Sequence, residues 1–318
     1  LEKDIYVDLN EAERVGSTNN VRIVAQVDRY SAGYQGDGNW TSTKRFYVTQ
    51  DDDLQQVGSQ EIADLGEANM ADAATLVDFV DWAIETYPAD KYMLILSDHG
   101  MGWPGGWSDP TASGGGARNI PLASKLGDQL YLNEMDAALQ QIRDNNGLDK
   151  FELIGLDACL MAHLEVFSAL APHARYAVAS QETEPALGWA YTSFLGALVA
   201  NPAMNGAEIS RLILDSYIAD DQRIVDDQAR AELVGRGAPM GGLFGLLLGG
   251  GGQVNTPTAQ QVANEMGQNV TLTALDLAAM PALMSSYNEF ATALQTVNQK
   301  AVAQARSYAQ SYTSIFGP

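Results

Sequence analysis

The chain has 318 residues, of which 46% are hydrophobic, so it can bury the core of one large domain or of one and a half. Its 18 Lys and Arg residues against 40 Asp and Glu residues give a formal net charge of −22. Such a surface repels nucleic acid and anionic membranes, and it favours cationic substrates or divalent ions. A single cysteine excludes an internal disulfide framework, and no run approaches the ~20 apolar residues that cross a bilayer.

The N-terminal third shows alternating helical and strand-like patterns. The predicted elements are a helix over Leu1 to Glu13, a buried strand over Val21 to Val27, an edge hairpin strand over Arg45 to Thr49, and a helix that Asn69 or Asp72 caps and that reaches about Tyr87. Asp51, Asp52 and Asp53 lie between them, either as a solvated turn or as a weak candidate metal site. No signal peptide is visible and Leu1 is not Met, so we expect an earlier translated start.

A first strand of chemical interest, Tyr92 to Leu96, runs into Ser97-Asp98-His99-Gly100. His99 is one of three histidines and lies just past the end of this apolar strand. The following segment, Met101 to Ser124, is rich in Gly, Pro, Trp and Ser and predicts a long surface loop beside His99. In that loop, Trp103 and Trp107 either wall a substrate cleft or cover the sheet edge.

A second apolar strand, Phe151 to Leu156, ends in Asp157-Ala158-Cys159. One interpretation of Cys159 is a buried structural thiol. However, ligands of open α/β sheets bind at the carboxyl ends of strands, and His99 precedes Cys159 by 60 residues, enough for one crossover between neighbouring parallel strands. A Cys and a His that the fold brings together are typical of a cysteine nucleophile with its base.

The chain beyond Cys159 supplies a rival base and further elements. A helix is predicted from Cys159 to about Leu170, and His163 lies four residues into it. Because a residue inside that helix should turn away from the sheet edge, we interpret His163 as structural. The further predicted elements are a strand over Arg175 to Ser180 with its loop Gln181 to Pro185, helices over Asn205 to Ala219 and Thr258 to Met266, a strand over Val270 to Ala274, and a helical stretch from Asp276 to about Thr313.

The Gly-rich segment Gly235 to Gly252 predicts a linker or flexible loop without a phosphate-binding motif. It divides the chain into a predicted catalytic domain over residues 1–230 and a Gly-rich loop with a helical C-terminal extension over residues 231–318.

The two strand ends resemble the clostripain-like cysteine peptidases, which belong to the clan of caspases, gingipains and legumain. The resemblance lies in His-Gly after the first strand and DACLM after the second. It extends over about the first 220 residues, through ERVGSTNNVRIVAQVD (Glu13 to Asp28), LGEANM (Leu65 to Met70), YPADKY (Tyr87 to Tyr92) and SQETEPALGWAY (Ser180 to Tyr191). It implies a caspase-like three-layer α/β sandwich with a mainly parallel sheet. Relatives begin with an additional apolar strand, so we expect either a processed or truncated chain or another segment in the place of that strand.

The resemblance also implies a mechanism and a specificity. Cys159 would attack the peptide carbonyl, His99 would act as the base, and the N–H groups of Gly100 and Cys159 would form the oxyanion hole. Relatives cleave after Arg or Lys through the Asp two positions before the nucleophile, here Asp157, for which a helix cap is the alternative interpretation. Glu182 and Glu184 would add negative charge or simply lie in a solvated loop, and Trp103 would contact substrate.

Two further properties follow from the resemblance. Relatives often require Ca²⁺, for which Asp51, Asp52 and Asp53 are the candidate ligands, and they mature by cleavage between the His and the Cys, here at Arg118–Asn119. We therefore expect peptide substrates with basic residues, self-cleavage into two associated chains, and an extracellular or periplasmic bacterial location. The alternatives are a catalytically silent scaffold and a Cys-dependent acyltransferase or amidase on the same fold.

Overall fold

The computed structural model describes residues 2–109, 128–235, 257–268 and 270–309. The helices are Glu2–Glu13 (α1), Ala73–Thr86 (α2), Leu132–Asn146 (α3), Leu164–Leu170 (α4), Tyr191–Ala200 (α5), Gly206–Ser216 (α6), Gln222–Val225 (α7), Asp227–Gly235 (α8), Ala259–Gly267 (α9), Met280–Thr296 (α10) and Gln299–Ser307 (α11). The strands are Val24–Asp28 (β1), Thr43–Tyr47 (β2), Gln60–Asp64 (β3), Met93–Ser97 (β4), Gly105–Gly106 (β5), Leu130–Tyr131 (β6), Phe151–Asp157 (β7), Ala174–Ser180 (β8) and Leu272–Asp276 (β9).

A four-stranded sheet in the order β4-β7-β8-β9 lies at the centre of the molecule. The strands β4, β7 and β8 are parallel, and β9 pairs antiparallel with β8. The two strands that carry the candidate nucleophile and base are therefore neighbours, as predicted. Their register pairs Ser97 with Asp157, the last residue of each strand.

Helices cover both faces of this sheet and form the predicted three-layer α/β sandwich. One hydrophobic cluster joins Ile154 and Ala177 to α2, α3 and α4, whereas a second cluster joins Leu153 and Val178 to α1, α5 and α6. Because adjacent strand residues point to opposite faces, β7 and β8 each contribute to both cores. A sheet buried on both faces reads as a continuous apolar run, which is why both strands were visible in the sequence.

The N-terminal strands form a separate sheet, which the sequence analysis did not predict. It is antiparallel, with the order β1-β2-β3. Because β2 is its central strand, the prediction of an edge strand at Arg45 to Thr49 is wrong. The strand β1 is also half-buried rather than buried. Most residues of β3 are exposed and polar, so it lacks the apolar signal that marks a strand in sequence.

The C-terminal region supplies one strand and the helices α10 and α11. The expected single helical stretch is interrupted at Val297 and Asn298, where the Asn298 side chain accepts a hydrogen bond from Lys300 N and starts α11. The strand β9 lies beyond residue 230 and completes the central sheet. The domain boundary between residues 230 and 231 stays a prediction. Among the residues that the structure describes, no helix has the length and apolar character needed to span a bilayer.

Candidate active site

The ends of β4 and β7 bring His99 and Cys159 to the same edge of the sheet. Each residue lies two positions beyond the paired Ser97 and Asp157, and Asp98 N donates a hydrogen bond to Asp157 O at 3.3 Å. A Cβ atom on Gly100 would come within 2.1 Å of Cys159 O. The two strand ends are therefore in direct contact, and only glycine fits between them.

The chain after His99 folds back as a short hairpin. Trp107 N donates to His99 O at 2.8 Å, and Met101 N donates to Gly105 O at 2.8 Å. Trp107 is buried in a hydrophobic core cluster, whereas Trp103 is 49% exposed. The predicted irregular loop thus begins with a β-hairpin, and Trp103 is the more exposed of the two tryptophans. Arg118 and Asn119 lie outside the described residues.

Asp98 lies next to the exposed His99. Burial raises the pKa of the Asp98 carboxyl group, and the N–H and imidazole of His99 together with the N–H of Ser108 oppose that rise. The Asp98 carboxyl group is therefore close enough to His99 for the imidazole to lower the pKa of that carboxyl group.

Cys159 is half-buried, and its sulfur contacts the loop that leaves β8. We call residues 181–190, between β8 and α5, the exit loop. Glu184 N donates to Cys159 Sγ at 3.3 Å, and Leu160 N donates to Glu182 O at 3.0 Å. The exit loop is therefore held against the turn that carries the candidate nucleophile.

The predicted helix directly after Cys159 is wrong. The helix α4 begins at Leu164, and His163 is its N-cap residue with an extended backbone. The ring of His163 lies against Gly102, where a Cβ atom would be 2.8 Å from His163 Cε1. His163 thus stays beside the hairpin that follows His99, and the reason given for excluding it as a base does not hold.

Asp157 is buried beneath this edge and only 4% exposed. Its Oδ2 accepts hydrogen bonds from Trp189 N at 3.3 Å and from Tyr191 OH at 3.0 Å. It does not cap a helix, since α4 starts seven residues later, so that interpretation is wrong. Desolvation raises the pKa of Asp157, against the lowering effect of Glu184, Tyr191 and Trp189.

Glu184 contributes a second buried carboxylate at the same place. Desolvation and then repulsion by Asp157 hold the pKa of Glu184 well above its ordinary value. No hydrogen-bond partner of good geometry reaches either of its carboxylate oxygens, and Trp189 Nε1 and Tyr217 OH are also buried without a partner. Glu182 is half-buried, and its Oε1 is likewise buried without a hydrogen-bond partner. The sequence offered two interpretations of Glu184, and the structure contradicts the solvated loop.

A buried charge network behind the exit loop was missed by the sequence analysis. We define it as Asp8, Glu11, Asp221 and Arg223, all of which are buried. Arg223 Nη2 lies 2.7 Å from a carboxylate oxygen of Asp8 and 2.7 Å from one of Asp221, and 3.7 Å from Glu11 Oε1. The only available signal was that Asp8 and Glu11, three residues apart in α1, share a helical face.

One group of carboxylates can hold a metal ion among the residues that the structure describes. Oxygen atoms of Asp28, Glu67 and Asp109 lie within 4.8 Å of one another. Burial, opposed by a hydrogen bond from Thr43 and reinforced by Asp109, raises the pKa of Asp28 to about 6. By contrast, Asp51 and Asp53 accept hydrogen bonds from backbone N–H groups two residues ahead, as in a solvated turn.

Comparison with known proteins gives three findings. Residues 1–229 match the model of the clostripain family. Clostripain from Hathewaya histolytica is 29% identical over 178 residues, which are 52% of this chain and 32% of that protein. A secreted C11 cysteine protease from Bacteroides thetaiotaomicron, solved with an irreversible peptide inhibitor, is 19% identical, with a TM-score of 0.55 over 89% of this chain and 64% of its own.

This chain thus spans about a third of the curated relative and less than two thirds of the solved one. An inactive zymogen C11 protease from Parabacteroides distasonis is 21% identical and gives a TM-score of 0.48 over 68% of this chain and 55% of its own. The fold is caspase-like, as predicted.

Proposed function

This chain belongs to the clostripain family of cysteine peptidases, and from that premise we propose that it hydrolyses peptide bonds after Arg or Lys with Cys159 as nucleophile and His99 as base. The contact between the two strand ends supports this assignment. A nucleophile and a base delivered by neighbouring parallel strands need no further element to bring them together.

The proposed reaction has two steps. The Cys159 thiolate attacks the substrate carbonyl carbon, and the tetrahedral oxyanion is held by the N–H groups of Gly100 and Cys159. His99 gives its proton to the leaving amine as the C–N bond breaks, which leaves a thioester on Cys159. Water, deprotonated by His99, then attacks the thioester and releases the acid and the thiol.

The observation that carries the specificity is the pair of buried carboxyl groups next to the nucleophile. Among the described residues, neither Asp157 nor Glu184 forms an ion pair, and the nearby Arg223 is already bound by Asp8 and Asp221. Both oxygens of Glu184 are buried, and the Glu184 and Asp157 carboxyl groups lie close enough that each shifts the pKa of the other. A guanidinium or ammonium group of a substrate would supply the missing charge and hydrogen bonds.

Fluorogenic peptides that end in Arg, Lys, Leu or Ala before the reporter amide test this function. We expect turnover of the Arg and Lys peptides under reducing conditions and none by Cys159→Ala. Equal turnover of all four peptides would refute the basic specificity, and no turnover with or without Ca²⁺ would favour a silent scaffold. Transfer to an added amine in preference to water would favour the acyltransferase.

We extend the proposal to maturation and location. An enzyme that selects Arg would cleave its own Arg118–Asn119 bond in the segment Met101 to Ser124, because segments rich in Gly, Pro and Ser are preferred sites of nicking. Determining N-termini after incubation of the wild-type chain and of Cys159→Ala tests this step. A new terminus at Asn119 in the wild type alone supports it, whereas full activity of an intact chain refutes it. The secreted relative supports an extracellular or periplasmic location.

A further inference from the structure

The exit loop connects the candidate nucleophile to the buried charge network behind it. At the front, Glu184 N donates to Cys159 Sγ at 3.3 Å. At the rear, the Arg223 guanidinium donates to the carbonyl oxygen of Leu187. Only three positions separate Glu184 from Leu187. This short segment is therefore held at both ends, by the candidate nucleophile at one end and by the charge network at the other.

Arg223 is itself fixed by an unusual number of contacts. Its Nη2 and Nε donate to the two carboxylate oxygens of Asp221 at 2.7 and 3.0 Å, and Nη2 also reaches Asp8 Oδ1 at 2.7 Å. Its Nη1 donates to Asp4 O at 3.2 Å. The two N–H groups of Nη2 are shared among Asp8 Oδ1, Asp221 Oδ2 and the Leu187 carbonyl. A planar guanidinium spreads its donors over such an arrangement, whereas an ammonium group cannot match it. The carbonyl of Leu187 is thus held by a rigid donor.

Glu11 provides a second anchor for the same segment. Its Oε2 accepts Tyr191 N and its Oε1 accepts Gln222 N, both at 3.0 Å. Between the two anchors, Gly188 has φ +69°, and a Cβ atom there would lie 2.5 Å from Asp8 Oδ2 and 3.0 Å from Asp157 Oδ2. The loop is therefore clamped between the charge network and the carboxylate under the nucleophile.

We propose that Arg223 is a positioning residue of the peptidase: its guanidinium holds Leu187 so that the N–H of Glu184 stays directed at the sulfur of Cys159. The proposal rests on the proposed function in that Cys159 is the nucleophile. The sulfur makes two contacts with the same residue: it accepts from Glu184 N, and its S–H faces Glu184 O at 3.9 Å. Only the contact with the N–H group is available to the thiolate, which is the attacking form. Loosening the loop therefore weakens the chemical step more than substrate binding, so kcat falls while KM changes little.

The test measures alkylation of Cys159 by iodoacetamide against pH in the full chain. Cys159 is the only cysteine, so the label reports this one sulfur without any substrate. Arg223→Lys keeps the positive charge but loses the planar arrangement of guanidinium N–H donors. We expect its alkylation at pH 7 to be ~3- to 10-fold slower, equivalent to one hydrogen bond, and its profile to move to higher pH. The Arg-peptide kcat should fall by a similar factor.

Arg230→Lys is the matched control. Arg230 is equally buried, but it donates to Ile224 O and Pro257 O, and none of its hydrogen bonds within the described part of the chain reaches the exit loop. Its loss should lower the melting temperature and leave the alkylation profile unchanged. A folded Arg223→Lys that alkylates like the wild type would overturn the proposal, and so would equal slowing by Arg230→Lys.

A second variant keeps the test decisive if Arg223→Lys does not fold. Glu11→Gln replaces one acceptor oxygen by an NH₂ group and so releases one anchor of the loop. We expect a shift in the same direction, and an unchanged profile would contradict the proposal. If the wild type hydrolyses no peptide but the alkylation shift is present, the proposed function fails while the positioning of Cys159 by Arg223 stands.

Discussion

The two sides of the exit loop differ in how their charged groups are held. On the front side, His99 is exposed and Cys159 is half-buried, and the strand ends meet through a glycine. On the rear side, Asp8, Glu11, Asp221 and Arg223 are buried, and Arg223 forms direct ion pairs with Asp8 and Asp221. Among the described residues, the front side is the more exposed of the two. The rear side is closed and fixes the loop from behind.

This difference separates activity from stability. A truncated side chain on the front side removes few packing contacts, so the fold should tolerate it. A change on the rear side leaves a buried charge without its partner, which costs ~3–5 kcal/mol in typical proteins. Substitutions on the two sides should therefore produce distinct combinations of lost activity and lost stability.

The largest effect is expected on the front side. Cys159→Ala and His99→Ala should each lower kcat/KM for an Arg peptide by more than ~10³-fold, because each removes a group that the chemistry requires. Their melting temperatures should stay within a few degrees of the wild type. His163→Ala is the control and should remain active. Activity within tenfold of wild type in His99→Ala, or its loss in His163→Ala, would reassign the base.

A smaller and selective effect is expected between the two sides, at Asp157. Asp157→Asn keeps an acceptor for Trp189 N and Tyr191 OH but removes the charge. We expect kcat/KM for Arg peptides to fall ~30- to 150-fold. This corresponds to a loss of ~2–3 kcal/mol of transition-state stabilisation, as for a hydrogen bond to a charged group. Leu and Ala peptides should lose much less. A uniform loss over all peptides would show that Asp157 is structural only.

The rear side should appear in the pH dependence of stability. Desolvation, followed by repulsion from Asp221, raises the pKa of Glu11 to about 8 from its ordinary 4.5. The folded chain thus keeps a proton that the unfolded chain releases, so this contribution is complete below about pH 4.5 and is lost as the pH rises through about 8. The slope is at most ~1.4 kcal/mol per pH unit for one proton.

Glu11→Gln removes that titration. Its unfolding free energy, measured by denaturant titration between pH 5 and 8, should depend less on pH than that of the wild type. Parallel curves for the two proteins would mean that Glu11 stays ionised throughout. His173→Gln is a useful comparison, since His173 is buried at the opposite end of β8 from the exit loop and pairs with Asp136.

The smallest effect is expected from the removal of calcium, whose candidate ligands belong to neither side of the exit loop. If Asp28, Glu67 and Asp109 bind Ca²⁺, EGTA should lower the melting temperature of the wild type by a few degrees, because bound ligand stabilises the fold by mass action. Asp28→Asn should reduce that response, whereas Asp51→Asn should not. Activity and melting temperature that EGTA leaves unchanged would remove the metal site.

The front side was predictable from the sequence, and the rear side was not. Two apolar strands that end in short polar motifs identify a sheet edge, so His99 and Cys159 could be placed before any coordinates. Arg223 lies more than sixty residues beyond Cys159, and its partner Asp8 belongs to the first helix. No local pattern links such residues, because ion pairing over long sequence separations is a property of the assembled fold.

The error at His163 has a physical cause. Apolar spacing after Cys159 suggested an immediate helix, but Leu160 adopts φ +65°, and the chain turns before α4 begins at Leu164. Hydrogen bonds from Leu160 N to Glu182 O and from Ala162 N to Ser180 O hold that turn. Tertiary contacts of this kind override local helix propensity.

The pairing of β9 with β8 has a practical consequence for shortened forms of the chain. Residues 1–229 match the family model, but they do not include β9, which pairs with Tyr176 to Ser180. A chain that ends at residue 229 would leave the backbone N–H and C=O groups on one side of β8 unpaired. Such an exposed edge strand can pair with another chain. The same truncation would also remove Thr271, whose hydroxyl accepts Glu182 N at 2.7 Å. A fragment chosen by family boundaries would thus tend to aggregate and lose one support of the exit loop.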